Sequence, residues 1–261
     1  MTTALIDGDI VAYRCAASCQ KGEIVTDPLN IAIARAEELV HKILKATNAS
    51  FYKIFLSGPQ NYRYKINPQY KANRKDVPRP QWLQDLREYL VVEWKASVEE
   101  DQEADDALGI YQCHNKNTII CSIDKDLLMI PGHHYSWEIS GTSVNGNAWV
   151  RPEEYLFQEE PEATRRFYYQ MLMGDRSDNV FGFDGLARQK VPDKLQHIFH
   201  ELDSYSLESD MCNFVRSLYN DDDRFLMNGQ CLWIRRQEGE IWQPINPETM
   251  ESGQKQDGIA L

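Results

Sequence analysis

Short unbroken apolar runs alternate along the chain with longer stretches whose apolar residues recur every three or four positions. Ala4, Leu5 and Ile6 form the first run, which ends at Asp7-Gly8-Asp9; residues 53–56 form the second, ending at Ser57-Gly58-Pro59; residues 118–123 form the third, ending at Asp124. Runs of this length predict strands buried on both faces, and the helical spacing over 29–46 predicts a helix between the first two. Residues 101–114 and 162–173 predict further helices. Strands separated by helices imply right-handed crossovers and a parallel sheet, with ligands gathering beyond the strands' carboxyl ends, where Asp7, Asp124 and Asp126 would lie. Aromatic and β-branched alternation over 135–151, around Asn145-Gly146-Asn147, predicts a hairpin. Mostly helical pattern follows Asp178 to about residue 226. A second hairpin is expected over 232–245, turning at Glu238-Gly239 with Trp233 opposite Trp242. The expected organisation is an α/β domain over 1–165, a helical region over 166–250 and a polar, flexible tail over 251–261.

Composition adds limits. With 261 residues, 42% of them hydrophobic and 26% charged, the chain can bury a substantial globular core. No apolar stretch approaches the roughly 20 residues that span a bilayer, so no membrane role is expected. Cys15, Cys19, Cys113, Cys121, Cys212 and Cys231 are scattered, with no CxxC pair and no secretory leader, which predicts a reducing, cytoplasmic setting. The histidines, His197 and His200 included, lack cysteine or acid partners at ligand spacing and read as packing or surface residues.

Charge changes the picture more. Nine carboxylates fall in four clusters: Asp7 with Asp9, Glu103 with Asp105 and Asp106, Asp124 with Asp126, and Asp175 with Asp178. Carboxylates gathered in one place resist simultaneous ionisation unless cations neutralise them. Ligation by oxygen alone favours two Mg²⁺ or Mn²⁺ ions, the usual apparatus for phosphodiester hydrolysis. Removing these nine from the formal net charge of −12 leaves −3, so the acidity is largely a property of the expected site. Glu103 and Asp106, three apart on a helix, would share a face; Asp105 would point elsewhere, toward a second metal or a water. Against this background residues 63–79 carry Arg63, Lys65, Lys71, Arg74, Lys75 and Arg79 with only Asp76 opposing, a candidate phosphate-binding element.

LIDGD (5–9), NPQYKANRK (67–75), EADDALG (103–109), CSIDKDL (121–127) and GDRSDNVFGFDG (174–185) together resemble the flap endonuclease family, in particular its bacteriophage 5′-to-3′ exonuclease branch. The resemblance implies a PIN-like three-layer α/β/α fold with a mainly parallel sheet, plus a helical C-terminal region holding a helix-hairpin-helix-like motif. It implies metal-dependent hydrolysis of DNA at a 5′ end or flap, with RNA of a hybrid as a further substrate, giving 5′-phosphate and 3′-hydroxyl ends. Asp7, Glu103, Asp105, Asp106, Asp124, Asp126, Asp175 and Asp178 would then be direct or water-mediated ligands of two Mg²⁺ or Mn²⁺ ions, with Asp106, Asp124 and Asp126 central to catalysis and Asp9 supporting. The basic segment, at about 58–80, matches the family's arch or clamp: Lys71 would stabilise the scissile phosphate, Tyr70 would stack on a base, and Arg63, Arg74 and Lys75 would meet the backbone. Gly182, Gly185, Arg188 and Lys190 would grip duplex phosphates, with K⁺ bound near Gly185. The protein is expected to act as a monomer.

Departures from the family pattern matter. Ser57 stands where the family has another aspartate, which predicts a weaker or more hydrated metal site. The hairpin's usual Gly-hydrophobic-Gly becomes Gly185-Leu186-Ala187, and its following lysine is displaced toward Arg188 or Lys190. Two other readings exist. A haloacid dehalogenase-like phosphatase would use Asp7 as nucleophile, Asp9 as acid and Ser57 on phosphate, but it leaves Glu103, Asp105, Asp106 and Lys71 without a role. A catalytically inert, structure-specific DNA-binding protein is the other.

Overall fold

The computed structural model describes residues 1–143 and 147–245. Its elements are β1 (Thr3–Asp7), α1 (Gly8–Ala17), β2 (Gln20–Lys21), β3 (Ile24–Val25), α2 (Leu29–Ala46), β4 (Phe51–Ser57), α3 (Arg63–Ile66), α4 (Leu83–Glu93), β5 (Ser97–Glu99), α5 (Ala104–His114), β6 (Thr118–Cys121), β7 (Gly132–Ser136), β8 (Ile139–Thr142), β9 (Ala148–Arg151), β10 (Glu154–Gln158), α6 (Glu160–Met173), β11 (Gly174–Asp175), β12 (Val180–Phe181), α7 (Gln196–Ser204), α8 (Glu208–Leu218) and α9 (Asp222–Leu232). Six strands form one sheet in the order β10-β7-β6-β1-β4-β5, parallel except for the edge strand β10. β1 is thus central, and the expected parallel α/β architecture is observed.

Side-chain alternation divides the sheet into layers. Ala4, Ile6, Ile54, Leu56, Ile119 and Cys121 join a core with α1, α2 and α4. Leu5, Phe55 and Ile120, one residue out of phase, pack on the other face against Ala104, Ala107 and Leu108 of α5. A strand's period of two explains both halves of the sandwich. A separate core, around Phe167, Tyr168 and Met171, gathers α6 to α9 with Tyr70 and Met129. The division expected at residue 165 therefore falls inside α6, which is continuous through it.

Antiparallel β8 and β9 supply the first expected hairpin, and its turn at Asn145 and Gly146 lies outside the described residues. The second hairpin is absent: residues 233–245 form an irregular strap, although the turn at Glu238-Gly239 is present. Trp233 and Trp242 do not face each other as a cross-strand pair; both rings pack on Phe167, at 4.9 and 5.3 Å between centroids. Trp242 also lies against Gly229, where an added Cβ would sit 2.2 Å from the indole. Gly229→Ala is therefore expected to destabilise the fold by about 1–3 kcal/mol through overpacking, outweighing the gain in helix propensity. The check is the denaturant midpoint, which should fall at unchanged slope. No helix among the described residues is long and apolar enough to cross a membrane.

Candidate nuclease site

The carboxyl ends of the two central strands place the first acids. Asp7 closes β1 and caps α1, its Oδ1 accepting from the Ile10 amide at 3.0 Å. Its Oδ2 accepts from the Ser122 hydroxyl at 2.7 Å, and Ser122 Oγ in turn accepts from the Asp124 amide at 3.0 Å. Asp124 Oδ1 accepts the Asp126 amide at 2.9 Å. Burial and the nearby Asp9 and Asp124 charges push the Asp7 carboxyl up to about 7. Asp105, in the first turn of α5, is pushed well above the usual carboxylate range by burial and by Asp7, Asp124 and Glu103.

A second group of acids lies across the mouth. Burial, with the Asp124 and Asp175 charges, raises Asp126 to about 8. Burial acts the same way on Asp175, but hydrogen bonds from the Ser177 hydroxyl and the amides of Asp178 and Ser177 hold it low. Gln170 Nε2 reaches Asp175 Oδ2 at 2.9 Å. A cleft of about 430 Å³ opens beside them, lined on its cationic side by Lys125, Arg166, Arg176 and Arg188.

The basic segment is docked onto this acidic rim. The Lys71 amide donates to the Asp178 carbonyl at 2.9 Å, Asn73 Nδ2 to Arg176 O at 2.8 Å, Arg74 Nε to Ser177 O at 2.9 Å, and Asn179 Nδ2 back to Gln69 O at 2.8 Å. The Lys71 backbone adopts the left-handed conformation, φ +55°, and its Nζ lies 2.5 Å from Glu103 Oε1 and 3.7 Å from Asp178 Oδ2. Burial opposes the Lys71 charge, but Glu103 and Asp178 raise its pKa overall. Arg74 Nη2 meets Asp178 Oδ1 at 2.6 Å. Lys75 and Lys190 are exposed.

Several sequence expectations are corrected. Asp106 is 0% exposed, and each of its oxygens already accepts two hydrogen bonds: Arg63 Nη1 at 2.6 Å and the Glu103 amide at 3.0 Å on Oδ2, Arg63 Nη2 at 2.8 Å and the Arg235 amide at 3.0 Å on Oδ1. No lone pair remains for a metal. Arg63, 2% exposed, is equally unable to meet DNA. Asp105 faces the acids instead, because Glu103 is the cap of α5 with extended backbone (φ −87°, ψ 161°), and helical spacing does not yet apply to it. The Tyr70 ring, 2% exposed, is too buried to receive a base; its hydroxyl donates toward Asp178 Oδ2 at 2.6 Å and Glu103 Oε2 at 3.2 Å. The amides of Gly182 and Gly185 are engaged within their own turn, on Leu186 O and Gly182 O, both at 2.9 Å. Arg188 forks onto Asp184.

Four participants escaped the sequence reading. Ser122 carried a faint signal, a hydroxyl two residues before Asp124 at a strand end. Arg87 carried none: it pairs with Asp9 and with the Ser57 carbonyl from α4. Arg166 and Gln170 are four apart on α6, a polar stripe readable as such. The phosphatase reading is disfavoured by the same geometry, since Asp9 is clamped by Arg87 and Ser57 Oγ accepts the Ala104 amide at 2.9 Å. Among the described residues no group of three or more acids, histidines or cysteines is drawn close enough together to hold a metal ion as it stands. The donor set still suits hard cations. The protein compensates the charges of Asp7, Asp105 and Asp126 only in part, so burial and neighbouring carboxylates raise all three, and neither oxygen of Asp105 takes a hydrogen bond among the described residues.

Residues 2–154 match the family described as 5′-3′ exonuclease, N-terminal resolvase-like domain. A 5′-3′ exonuclease of Buchnera aphidicola subsp. Schizaphis graminum (strain Sg) is 26% identical over 189 residues, covering 68% of this chain; the chain spans 64% of that protein's length. The bacteriophage T5 D15 flap endonuclease, in a pseudo-enzyme–product complex with DNA and metal ions, superposes with a TM-score of 0.60 at 14% identity, covering 89% of each chain. T5 D15 protein co-crystallised with metal ions gives 0.58 at 13% identity over the same 89% of each. The extent of the family match, more than half the chain, settles the relationship: this protein belongs to the 5′-3′ exonuclease family through its N-terminal resolvase-like domain.

Proposed function

We propose that the chain hydrolyses DNA phosphodiester bonds at or near a 5′ end or flap, leaving 5′-phosphate and 3′-hydroxyl ends. The observation that carries this reading is the hydrogen-bonded link from Asp7 through Ser122 to Asp124 beyond the central strands, with Lys71 seated on Glu103 and Asp178. Asp7, Glu103, Asp105 and Asp124 would hold one Mg²⁺ or Mn²⁺, and Asp126, Asp175 and Asp178 a second. The bound ions would supply charge stabilisation for the phosphate and a more acidic attacking water. With Glu103 and Asp178 engaged as ligands, the Lys71 ammonium would leave its present ion pairs and face the scissile phosphate. Tyr70 would steady both acids rather than read a base. Arg74, Lys75, Arg188 and Lys190 would hold backbone phosphates, a role that for Arg74 and Arg188 competes with their carboxylate partners, with K⁺ near Gly185. Recognition would rest on strand form, since phosphate contacts carry no base information. RNA of a hybrid would be accepted on the same grounds, by a monomer whose nuclease half ends before α6.

Lys71→Ala is expected to lower the single-turnover rate by roughly 10²- to 10³-fold, the usual cost of removing one preorganised charge-stabilising donor. An unchanged rate on an end-labelled 5′-flap duplex takes Lys71 out of the mechanism. The same substrate tests the whole reading: cleavage only when Mg²⁺ or Mn²⁺ is present supports it. Binding without cleavage at every metal concentration selects the inert DNA-binding protein instead.

A further inference from the structure

Among the described residues the Arg63–Asp106 ion pair is buried at both ends, and it lies outside the chemistry just described. Arg63 comes from α3, at the start of the basic segment; Asp106 comes from α5, behind the acids. Besides forking onto Asp106, the guanidinium donates from Nε to the Cys231 carbonyl at 2.9 Å and from Nη2 to the Trp233 carbonyl at 2.6 Å. Tyr62 lies between two cations, with the guanidinium carbons of Arg63 and Arg235 at 4.6 and 3.9 Å from its ring centre. Arg235 Nη1 also reaches Gln102 Oε1 at 3.1 Å. Three segments distant in sequence therefore close on one buried point: the base of the basic segment, the entry to α5 and the end of α9.

What that point holds is Glu103. Its amide donates to Asp106 Oδ2 at 3.0 Å, while its carboxylate takes Lys71 at 2.5 Å and the Tyr70 hydroxyl at 3.2 Å. The far end of the linkage reaches β12 and the loop after it. Asn228 Nδ2 of α9 donates to Phe181 O at 2.6 Å, and Arg224 donates to Phe183 O. We propose that Arg63 and Asp106 are positioning residues: the pair fixes the pose of Glu103 and Lys71, and through the carbonyls of Cys231 and Trp233 couples the seating of α9 to assembly of the metal site. A buried fork is suited to this, because its planar geometry tolerates neither rotation nor a change of length. The inference rests on the metal-site reading above, in which Glu103 is a ligand.

The test needs no turnover. Mn²⁺ binding to the full chain is measured by paramagnetic resonance for wild type, Asp106→Glu and Arg63→Lys, substitutions that keep the buried charges paired and change only length or fork. Each variant is expected to bind Mn²⁺ about 10- to 100-fold more weakly, the range for residues that orient a ligand from behind, while unfolding in one cooperative transition. Affinity within twofold of wild type in either folded variant overturns the proposal. If wild type itself binds no Mn²⁺, the metal site is absent and the nuclease reading falls together with the inference; equal binding by all three removes the inference alone. Should both variants fail to fold, hydrogen exchange on wild type decides, since coupling is reciprocal. Mn²⁺ should slow exchange in residues 231–235, and exchange that ignores the metal overturns the proposal.

Discussion

Asp105→Asn should reduce metal-dependent cleavage by at least ~10³-fold and leave DNA binding within a few-fold of wild type. Loss of one ligand carboxylate removes several kcal/mol of transition-state stabilisation, and each ~1.4 kcal/mol is a decade in rate. Asparagine keeps the shape of the side chain, so the α5 cap and the packing of Ala104 and Leu108 should persist. The charge it removes is one that the metal-free protein can barely accommodate, because Asp105 faces Asp7, Asp124 and Glu103. Activity should therefore fall while metal-free stability rises, the trade expected where function assembles like charges. Single-turnover cleavage and melting in a chelator measure the two sides. Near-normal turnover with higher stability leaves Asp105 a bystander; lower stability means that its carboxylate is structural, as that of Asp106 is.

The metal-free protein should lose stability as pH rises from about 5 to 9, and divalent cations should remove that loss. The carboxyl of Asp7 stands at about 7 and that of Asp126 at about 8, against an ordinary 3.8. Both are raised, so between pH 4 and 8 the folded chain retains protons that the unfolded chain has released. Stability from these groups is fully present below about pH 4 and is lost as pH passes through their folded values. Asp106 and Asp175 are lowered, chiefly by Arg63 in the first case and by hydrogen bonds from Ser177 and Asp178 in the second, each against the opposing effect of burial. Their contribution runs the other way and disappears only in acid. The two trends place the metal-free optimum near pH 5, with a decline toward pH 9 on the order of a few kcal/mol. Mn²⁺ or Mg²⁺ binds the ionised carboxylates in competition with protons, so the decline should flatten or reverse in their presence. Denaturant unfolding at pH 5, 7 and 9, with chelator and with Mn²⁺, is the measurement. A pH-independent midpoint in chelator contradicts the crowding of these acids.

How much of this was readable in advance varies by element. The helix expected over 29–46 is α2, and the three apolar runs are β1, β4 and β6. The helix repeats its period over 18 residues, and the short apolar runs are buried on both faces of the sheet. The late hairpin failed because Trp233, Ile234 and Trp242 mimic a strand's composition while serving as separate anchors. Ile234 enters the core under the sheet, and the two tryptophans enter the core around Phe167. The basic segment misled in a similar way, since nothing in NPQYKANRK separates a free clamp from one hydrogen-bonded to residues 176–179.

Which carboxylates gather was a matter of chain order: strand ends at Asp7 and Asp124, and a helix start at 103–106, bring acids to one edge of a parallel sheet whatever else the fold does. Which of them faces the others was not. Asp105 and Asp106 are chemically identical neighbours, and Arg63, 43 positions from Asp106, claims one of them from across the molecule. A local pattern encodes the face of a helix only once the helix has begun. Partners for a buried charge are chosen by packing among distant segments, and that choice exists only in three dimensions.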